Sequence, residues 1–284
     1  MVNLTTIILT KNEEKNISDC IQSITGFSER IIIIDSGSTD KTCEIAKSLG
    51  AEVYEHKFEN YAKQFNWGLD NLNISTKWTL RLDADERFTP ELCNELEKLM
   101  KKHENDNVNG FILQAWLYFM GKKLKYGGSR KKKLMVFKTG IGRIENRKMD
   151  EHTILNNGTA IEIKNKFLHY DYKDLTSYIN KLNWYATREM QDYFERKNEK
   201  FDGSNKEINS MRKKKFGFYY KFPLFIRAWL LFVYQYYIKL GFLNGKEGYI
   251  YTYMYSRFYR TLVDAKIYEH MKFNTKFEET GDLK

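Results

Sequence analysis

The chain has 284 residues, of which 42% are hydrophobic and two are proline, so it can bury a sizeable core, which excludes an intrinsically disordered protein. Its three cysteines are far apart and odd in number, which excludes a disulfide framework and a paired-cysteine zinc motif and favours a reducing compartment. The net charge of +10 favours an anionic partner: nucleic acid, a phosphorylated small molecule or an anionic membrane surface.

The first third of the chain alternates between strand and helix patterns. Apolar or β-branched runs at residues 4–10 and 30–35 predict strands, and the second run is of the kind buried on both faces of a sheet. Periodic apolar side chains at residues 12–24 and 41–49 predict helices, and a further strand is expected around residues 51–56. This alternation is typical of an α/β fold with a parallel sheet and helices on its faces.

Polar side chains follow three of the predicted strands. Thr10, Asp35 and Asp83 each stand at the end of a separate predicted strand, the last of which begins with the apolar run at residues 77–80. Ligands bind at the carboxyl ends of the strands in such sheets. Asp83 and Asp85 share one face, and carboxylates that converge there repel each other unless a cation lies nearby. The spacing therefore predicts a divalent metal site.

Further elements precede a change in composition. The patterns predict a helix at residues 90–102, strands at 111–118 and 134–138, and a helix at 175–197. We therefore predict a catalytic sheet domain over residues 1–172 and a helical extension over residues 173–284.

The last third of the chain is strongly aromatic. Residues 216–259 contain 18 aromatic side chains, and their longest apolar run covers residues 228–238. This run is shorter than the roughly 20 residues that span a bilayer. Because Lys221, Arg227 and Lys239 flank it, one interpretation is a helix at the headgroup level of a membrane surface. The other is a helical subdomain that packs on the catalytic sheet or on a second subunit.

Five motifs are informative because of their order. They are ILTKNEEKNI (residues 8–17), IIIIDSGSTDKT (31–42), YAKQFNWGL (61–69), LDADE (82–86) and MDEHTIL (149–155). Together they resemble an inverting glycosyltransferase of family 2, and more narrowly the bacterial enzymes that extend lipopolysaccharide core or capsular glycans. The resemblance covers about residues 1–195. It implies a Rossmann-like GT-A fold, a nucleotide-sugar donor, and direct displacement at the anomeric carbon by an acceptor hydroxyl.

The resemblance also assigns roles to individual residues. It implies that Thr10 and Asp35 contact the nucleobase, and that Asp83 contacts the ribose. It further implies that Asp85 binds Mn²⁺ or Mg²⁺. A carboxylate accepts a hydrogen bond from the imide N–H of uracil, so UDP is the preferred nucleotide. The other positions assigned to the nucleotide sugar are Asn12, Glu13, Lys63, Gln64, Asn66, Ala84 and Arg130.

A histidine follows a later predicted strand. His169, in the stretch FLHYDY, resembles a histidine that lies beside the metal or the diphosphate in related enzymes. A neutral imidazole is a suitable third metal ligand. The alternative is a histidine with an ordinary hydrogen bond and no ligand.

The motif MDEHTIL supplies the candidate base, which an inverting transfer needs to take the proton of the acceptor hydroxyl. Similar enzymes carry an acidic pair whose second member is the base, so Glu151 is favoured and Asp150 is the alternative. The order Asp-Glu-His differs from the commoner Glu-Asp. Without the other motifs, an acidic pair at a helix start would be the simpler interpretation.

The basic run at residues 130–133 has two interpretations. Arg130 and the lysines after it would stabilise the charge that develops on the leaving diphosphate, or they form a solvated loop. Many enzymes of the family that the chain resembles carry an arginine where this chain has Phe65. If that arginine normally meets the diphosphate, Lys63 or Arg130 must supply the charge here.

The sequence favours a metal-dependent enzyme that moves a sugar, with inversion, from a UDP-sugar to a hydroxyl of a lipid-linked, lipopolysaccharide or capsular glycan acceptor. The alternative is a non-catalytic glycan- or nucleotide-binding module on the same fold. A nucleic-acid partner is disfavoured, because the basic runs are short and no nucleic-acid motif is present. Residues 2–14 lack a signal-peptide pattern, so we expect a cytoplasmic protein. Peripheral contact with the inner face of the cytoplasmic membrane and homo-oligomer formation are further expectations.

Overall fold

The computed structural model describes residues 1–128, 132–145, 152–196 and 219–274. The chain forms two compact units, the first comprising Met1–Tyr118 and Arg130–Asp171 and the second comprising Phe119–Ser129 and Tyr172–Lys284. Residues 119–129 thus group with the second unit, although their position in the sequence predicted them within the sheet domain. The functional division at residue 172 stays a prediction.

Most of the described strands lie in the first unit. Within the described residues the strands are β1 (Val2–Thr10), β2 (Ser28–Asp35), β3 (Glu52–Glu55), β4 (Trp78–Asp83), β5 (Glu86–Arg87), β6 (Val108–Phe119), β7 (Lys122–Lys123), β8 (Lys132–Lys138), β9 (Gly142–Ile144), β10 (Thr153–Leu155) and β11 (Thr159–Tyr170). The strand order along the main sheet is β3-β2-β1-β4-β8-β6-β11-β5, and β9 and β10 form a separate antiparallel pair.

The main sheet is mixed and mostly parallel. β1 pairs in parallel with β2 and β4, β2 with β3, and β6 with β11. β8 is antiparallel to both of its neighbours, β4 and β6, and β5 is antiparallel to β11. The predicted α/β class, with a mostly parallel sheet flanked by helices and followed by an aromatic-rich helical part, is confirmed.

Helices occupy both units. Within the described residues they are α1 (Ile17–Ile24), α2 (Thr42–Ser48), α3 (Tyr61–Asn71), α4 (Pro90–Lys102), α5 (Leu175–Arg196), α6 (Ile226–Val233), α7 (Gly245–Thr252) and α8 (Tyr259–Phe273), with π-helical turns at Tyr234–Ile238 and Tyr253–Phe258 and 3₁₀ turns at Tyr219–Lys221 and Gly241–Asn244.

Apolar side chains cover both faces of the central strands. Ile33 of β2 packs in one cluster with Ile17 of α1. Ile32 and Ile34 pack in a second cluster with Phe65 of α3. Because successive side chains of a strand point to opposite faces, β2 has helices on both sides. The prediction of a strand buried on both faces is confirmed.

The first helix is shorter than the predicted range, residues 12–24, and begins at Ile17. Asn12 has a φ of 53°, which lies outside the right-handed helical region. Its side-chain oxygen accepts a hydrogen bond from the backbone N–H of Thr39 at 2.9 Å. A contact with a segment distant in the sequence therefore overrides the helical periodicity of residues 12–16.

Helix α4 has the predicted bounds, and its end residues explain them. The side chain of Thr89 accepts a hydrogen bond from the backbone N–H of Leu92 at 3.3 Å. Pro90 occupies the first turn, where its missing N–H costs nothing. Lys101 and Lys102 lie in the last turn, where they complement the helix dipole.

The second unit is helical and contains charged groups in its interior. Arg227 of α6 is 2% exposed and donates two hydrogen bonds to Asp264 of α8, at 2.8 and 2.5 Å. Glu189 of α5 accepts hydrogen bonds from Arg260 at 2.6 Å and from the Tyr220 hydroxyl at 2.8 Å. The interpretation of Arg227 as a headgroup contact is wrong, because Asp264 binds it inside the unit. Across the described residues, no helix combines the length and the apolar character needed to cross a bilayer.

Candidate active site

The predicted strand-end residues lie side by side in the sheet. Thr10, Asp35 and Asp83 are the last residues of β1, β2 and β4. The parallel register pairs Thr10 with Asp35, and Leu9 with Asp83. The carboxyl ends of these strands therefore bring the three polar side chains to one edge of the sheet.

Asp35 is 1% exposed and accepts hydrogen bonds at both oxygens. Oδ1 accepts from the hydroxyls of Thr10 at 2.8 Å and Ser38 at 2.6 Å. Oδ2 accepts from the backbone N–H groups of Gly37 at 2.8 Å and Ser38 at 2.7 Å. Burial by itself would raise the pKa of Asp35, but these hydrogen bonds outweigh it and lower the pKa. Asp35 thus fixes the turn after β2, and its contact with a nucleobase stays a prediction.

The loop after β1 is bound to the loop after β2. The backbone N–H of Asn12 donates to the Ser38 hydroxyl at 2.8 Å, and the backbone N–H of Glu13 donates to the Thr42 hydroxyl at 2.7 Å. The Lys11 ammonium donates to two backbone carbonyls of the second loop, at 3.0 and 2.7 Å. Asn12 and Glu13 are therefore held at the edge of the sheet that carries Asp35, and their assignment to the donor stays a prediction.

Asp83 faces a permanent cation. Its Oδ1 accepts a hydrogen bond from the Tyr61 hydroxyl at 2.7 Å, and its Oδ2 accepts from the Lys133 ammonium at 2.6 Å. Lys133 also donates to Glu86 at 2.5 Å. The Arg81 guanidinium lies 4.3 Å from the centre of the Tyr61 ring, and its Nε donates to the hydroxyl at 2.8 Å. These residues form a partly buried network of charges, called the Lys133 cluster below, in which Glu86 is 1% exposed and Asp83 27% exposed.

The charges of this cluster shift one another's pKa values. Burial would raise the pKa of Asp83, but Lys133 and Arg81 outweigh it and hold that pKa well below its usual range. Burial dominates at Glu86, which is 1% exposed, and raises its pKa despite Lys133. Burial would lower the pKa of Lys133, but the two carboxylates outweigh it and raise the pKa. The chain itself thus supplies a cation beside Asp83.

Lys132 and Lys133 are not part of a solvated loop. Both lie in β8, where Lys132 pairs with Gln114 and Lys133 with Leu113 of β6. Lys132 forms an ion pair with Glu162 at 2.5 Å. The loop interpretation is wrong for these two lysines, because strand pairing fixes their backbone and carboxylates bind both ammonium groups.

A second acidic cluster consists of Asp85, His169 and Asp171. Each residue offers one ligand atom, and these atoms lie within 4.8 Å of one another. Nε2 of His169 is 3.3 Å from Oδ2 of Asp85. Burial would lower the pKa of His169, but Asp85 and then Asp171 outweigh it and raise the pKa. Two carboxylates and an imidazole are a suitable ligand set for Mn²⁺ or Mg²⁺, with coordination positions left for water and phosphate oxygens. The cluster is a candidate metal site.

Strand pairing brings the members of this cluster together. β5 is antiparallel to β11, with Glu86 opposite His169, and the backbone N–H of Tyr170 donates to the carbonyl of Asp85 at 2.8 Å. Asp171 directly follows the last residue of β11. Sequence reasoning found Asp85 and His169 but missed Asp171. The signal was the spacing, because residues two apart at a strand end share one face.

The α3 residues that were assigned to the donor bind other parts of the chain. Gln64 is fully buried, and its amide donates to the carbonyl of His56 at 2.9 Å. Asn66 exchanges two hydrogen bonds with the backbone of Ile144, at 2.8 and 3.0 Å. Lys63 is half exposed and pairs with a glutamate one turn earlier in the chain. Gln64 and Asn66 therefore fix α3 in the fold, and the donor contacts of all three stay predictions.

Four further residues that were assigned to the site have no contact, in the described part of the chain, that supports their roles. Arg130, Asp150 and Glu151 lie outside the described residues. Ala84 is 5% exposed, and its carbonyl accepts a hydrogen bond from the Arg87 guanidinium at 3.1 Å. The catalytic base, the role of Arg130 over the diphosphate and the donor contact of Ala84 therefore stay predictions.

Comparison with known proteins identifies the family. A family model described as Glycosyl transferase family 2 matches residues 5–162, which is more than half of the chain. An uncharacterized glycosyltransferase of Rickettsia typhi is 26% identical over 208 residues, which cover 68% of each chain. The lipopolysaccharide core biosynthesis glycosyltransferase LpsC of Rhizobium meliloti is 27% identical over 191 residues, which cover 65% of this chain and 69% of LpsC.

Solved structures also resemble the chain. Glucosyl-3-phosphoglycerate synthase from Mycobacterium tuberculosis, crystallised with Mn²⁺, uridine diphosphate and glucosyl-3-phosphoglycerate, aligns with a TM-score of 0.33 at 19% identity. The alignment covers 40% of this chain and 44% of the synthase, so the chain spans less than half of that protein's length. The family match, which runs from within β1 through β10 to the first four residues of β11, is the decisive finding. The chain belongs to glycosyltransferase family 2.

Proposed function

We propose that the protein is a metal-dependent inverting glycosyltransferase that moves a sugar from a nucleotide sugar, preferably a UDP-sugar, to a hydroxyl of a glycan or glycolipid acceptor. The observation that carries this proposal is the cluster of Asp85, His169 and Asp171. Asp85 follows the end of β4, where Asp83 lies. Membership of family 2 supports the reaction class.

The ligand set supports a divalent cation. Asp85, His169 and Asp171 would hold it, and two carboxylates give the site the negative charge that Mn²⁺ or Mg²⁺ requires. When bound, the cation supplies Lewis-acid stabilisation of negative charge on the oxygens of the donor diphosphate. Thr10 and Asp35 are the proposed nucleobase contacts. Because Asp35 accepts four hydrogen bonds within the chain, the hydrogen bond from the uracil imide N–H would replace one of them.

The proposed reaction is a direct displacement. The bond between the acceptor oxygen and the anomeric carbon forms while the bond from that carbon to the diphosphate oxygen breaks, and the electron pair leaves with the diphosphate. Glu151, with Asp150 as the alternative, takes the proton of the acceptor hydroxyl. An attack from the face opposite the leaving group converts an α-linked donor into a β-linked product.

The proposed acceptor is a glycan or glycolipid of the lipopolysaccharide or capsule type. Its support is the similarity to LpsC, whose name describes lipopolysaccharide core biosynthesis. The motif order in the first 195 residues points to the same group of bacterial enzymes.

A donor panel tests the proposal. The full chain is incubated with Mn²⁺ and a set of UDP-, GDP- and CMP-sugars, and release of the free nucleotide is measured with and without a chelator. We expect release from one donor class, most readily a UDP-sugar, and loss of release with the chelator. A folded protein that neither binds nor hydrolyses any of these donors contradicts the proposal. A non-catalytic module would bind a donor without releasing its nucleotide.

A further inference from the structure

The second unit exposes many large apolar side chains within one short segment. The exposed residues between positions 225 and 253 are Phe225, Ile226, Trp229, Leu230, Tyr234, Tyr237, Ile238, Leu240, Phe242, Leu243, Tyr249 and Tyr253. We call this set the aromatic face. Water-soluble monomers rarely expose so many apolar side chains together, and larger exposed patches mark interaction sites.

Helix α6 and the π-helical turn after it leave large apolar side chains exposed. Trp229 is 51% exposed, Tyr237 is 56% exposed and Ile238 is 67% exposed. The charged Arg227, in contrast, is buried against Asp264. A helix that only packs in a protein core turns its apolar side inward. This one turns large apolar side chains to the solvent, so the unit's own packing does not account for them.

The exposed charges of residues 219–246 are of one sign. Residues 219–246 contain no aspartate or glutamate, whereas Lys221, Lys239 and Lys246 are exposed. The next acidic residue, Glu247, forms an ion pair with Lys122 at 3.0 Å. The aromatic face is therefore accompanied by cations and complements a negatively charged partner.

A cleft lies within the same segment. It has a volume of about 530 Å³ and is lined by Tyr236, Phe242, Gly245, Lys246, Tyr249 and Ile250. Phe242 and Tyr249 also belong to the aromatic face. An apolar cleft beside an ammonium group suits a molecule that has an apolar chain and an anionic head.

We propose that the aromatic face docks on the surface of an anionic phospholipid bilayer. Tyrosine and tryptophan rings are favoured at the level of the lipid headgroups, and lysines beside them attract anionic lipids. A second copy of the chain fits this face poorly, because a symmetric contact would bring its lysines together, and the one acidic residue among residues 219–253, Glu247, already pairs with Lys122. This docking surface is independent of the donor and of the metal.

Vesicle binding by the full chain tests the proposal. Co-sedimentation is measured with phosphatidylcholine vesicles and with vesicles that also contain phosphatidylglycerol, at low and high salt. We expect binding to the anionic vesicles that weakens with salt, and weaker binding to the neutral ones. The double variant Trp229→Ser/Ile238→Ser should bind the anionic vesicles at least about tenfold more weakly.

The matched control is Leu175→Ser/Met271→Ser, which removes two side chains that are 43% and 52% exposed and lie outside the aromatic face. It should bind like the unmodified chain. A second variant, Lys239→Gln/Lys246→Gln, leaves every apolar side chain in place and should weaken binding to anionic vesicles roughly 30-fold. Far-UV circular dichroism checks that each variant is folded.

Three results would overturn the proposal. The first is an unmodified chain that does not bind the anionic vesicles. The second is a Trp229→Ser/Ile238→Ser variant that binds them as well as the unmodified chain does. The third is a chain that self-associates in analytical ultracentrifugation without binding vesicles and becomes monomeric in that variant, because the aromatic face would then be an interface between copies.

Discussion

Asp83 and Asp85 are two residues apart, yet they belong to different electrostatic environments. Asp83 contacts the Lys133 ammonium and the Tyr61 hydroxyl, and its pKa is held well below the usual range. Asp85 lies beside an imidazole and a second carboxylate, which are groups that bind divalent metals. Asp83 is thus paired with a cation of the chain itself, whereas Asp85 lies among groups that can bind a metal ion.

The difference arises from segments that are distant in the sequence. Lys133 comes from β8, whereas His169 and Asp171 come from the end of β11. An Asp-x-Asp spacing alone assigns the same role to both carboxylates. The account of the site therefore depends on whether these two environments have the separate consequences that their chemistry predicts.

The largest expected effect is that of Asp85→Asn on catalysis. The substitution removes a charged ligand of the proposed metal site while the shape of the side chain is kept. We expect nucleotide release from the donor to fall at least about a hundredfold. Steady-state kinetics with the donor found in the panel measures this.

The matched control for that experiment is Asp106→Asn, which alters an aspartate that contacts His103 in the loop between α4 and β6. It should retain the activity of the unmodified chain. Equal losses in both variants would show that the removal of an aspartate, and not of a ligand, causes the effect.

Removal of the cation from the Lys133 cluster should instead reduce stability. Lys133→Met leaves Asp83 and Glu86 close together without their shared ammonium group. We expect the free energy of unfolding to fall by about 3 kcal/mol, because Glu86 is 1% exposed and would lose its ion-pair partner. Urea denaturation followed by circular dichroism measures this.

Lys132→Met is the control for this variant, since its partner Glu162 is 46% exposed and the ion pair is a surface one. It should change the free energy of unfolding by less than about 1 kcal/mol. If the Lys133→Met protein were as stable as the Lys132→Met protein, Lys133 would not stabilise the fold through Asp83 and Glu86 as we propose.

Asp171→Asn should weaken metal binding without abolishing it. Asp85 and His169 remain, and the asparagine carbonyl is a poorer ligand than a carboxylate. We expect the affinity for Mn²⁺ to fall about tenfold to a hundredfold, measured by isothermal titration calorimetry. An unchanged affinity would exclude Asp171 from the ligand set and would leave only the two residues that sequence reasoning found.

Among these variants, Asp35→Asn should have the smallest effect, which is a loss of stability. The carboxylate of Asp35 accepts its hydrogen bonds from the chain itself. The new amide nitrogen can turn toward the hydroxyls of Thr10 and Ser38, which are able to accept. We therefore expect a loss of only about 1.5 kcal/mol in the free energy of unfolding at pH 7.

This loss should depend on pH. The pKa of Asp35 is lowered in the folded state, so its contribution is present above the unfolded pKa of about 3.9 and is lost as the pH falls through the folded pKa. The stability difference between the unmodified chain and Asp35→Asn should therefore shrink below about pH 4. A difference that grows on acidification would contradict the charge-assisted role of Asp35.

Local patterns were sufficient for much of the fold. The runs that became β1, β2 and β4 end at Thr10, Asp35 and Asp83 as predicted, because burial on both faces and a polar end are local properties of a sequence. Helix α4 begins and ends as predicted, since Thr89 and Pro90 mark its first turn and the amphipathic pattern continues to Lys102.

Contacts between distant segments explain the failures. The loop around Asn12 is held by Thr39 and does not continue the helical pattern. Lys133 was expected in a loop or over the diphosphate, because nothing near it in the sequence indicates Asp83 and Glu86 as partners. Asp171 was missed although its spacing from His169 was informative, because a single aspartate after a strand has many ordinary explanations.

The most direct test of the account is a Mn²⁺ titration, by electron paramagnetic resonance, of three full-length proteins: the unmodified chain, Asp83→Asn and Asp85→Asn. The account predicts one Mn²⁺ site in the unmodified chain, nearly unchanged affinity in Asp83→Asn, and loss of the site in Asp85→Asn. Equal loss in both variants, or a site that persists in Asp85→Asn, would contradict the claim that Asp85 is the metal ligand and that Asp83 belongs to Lys133.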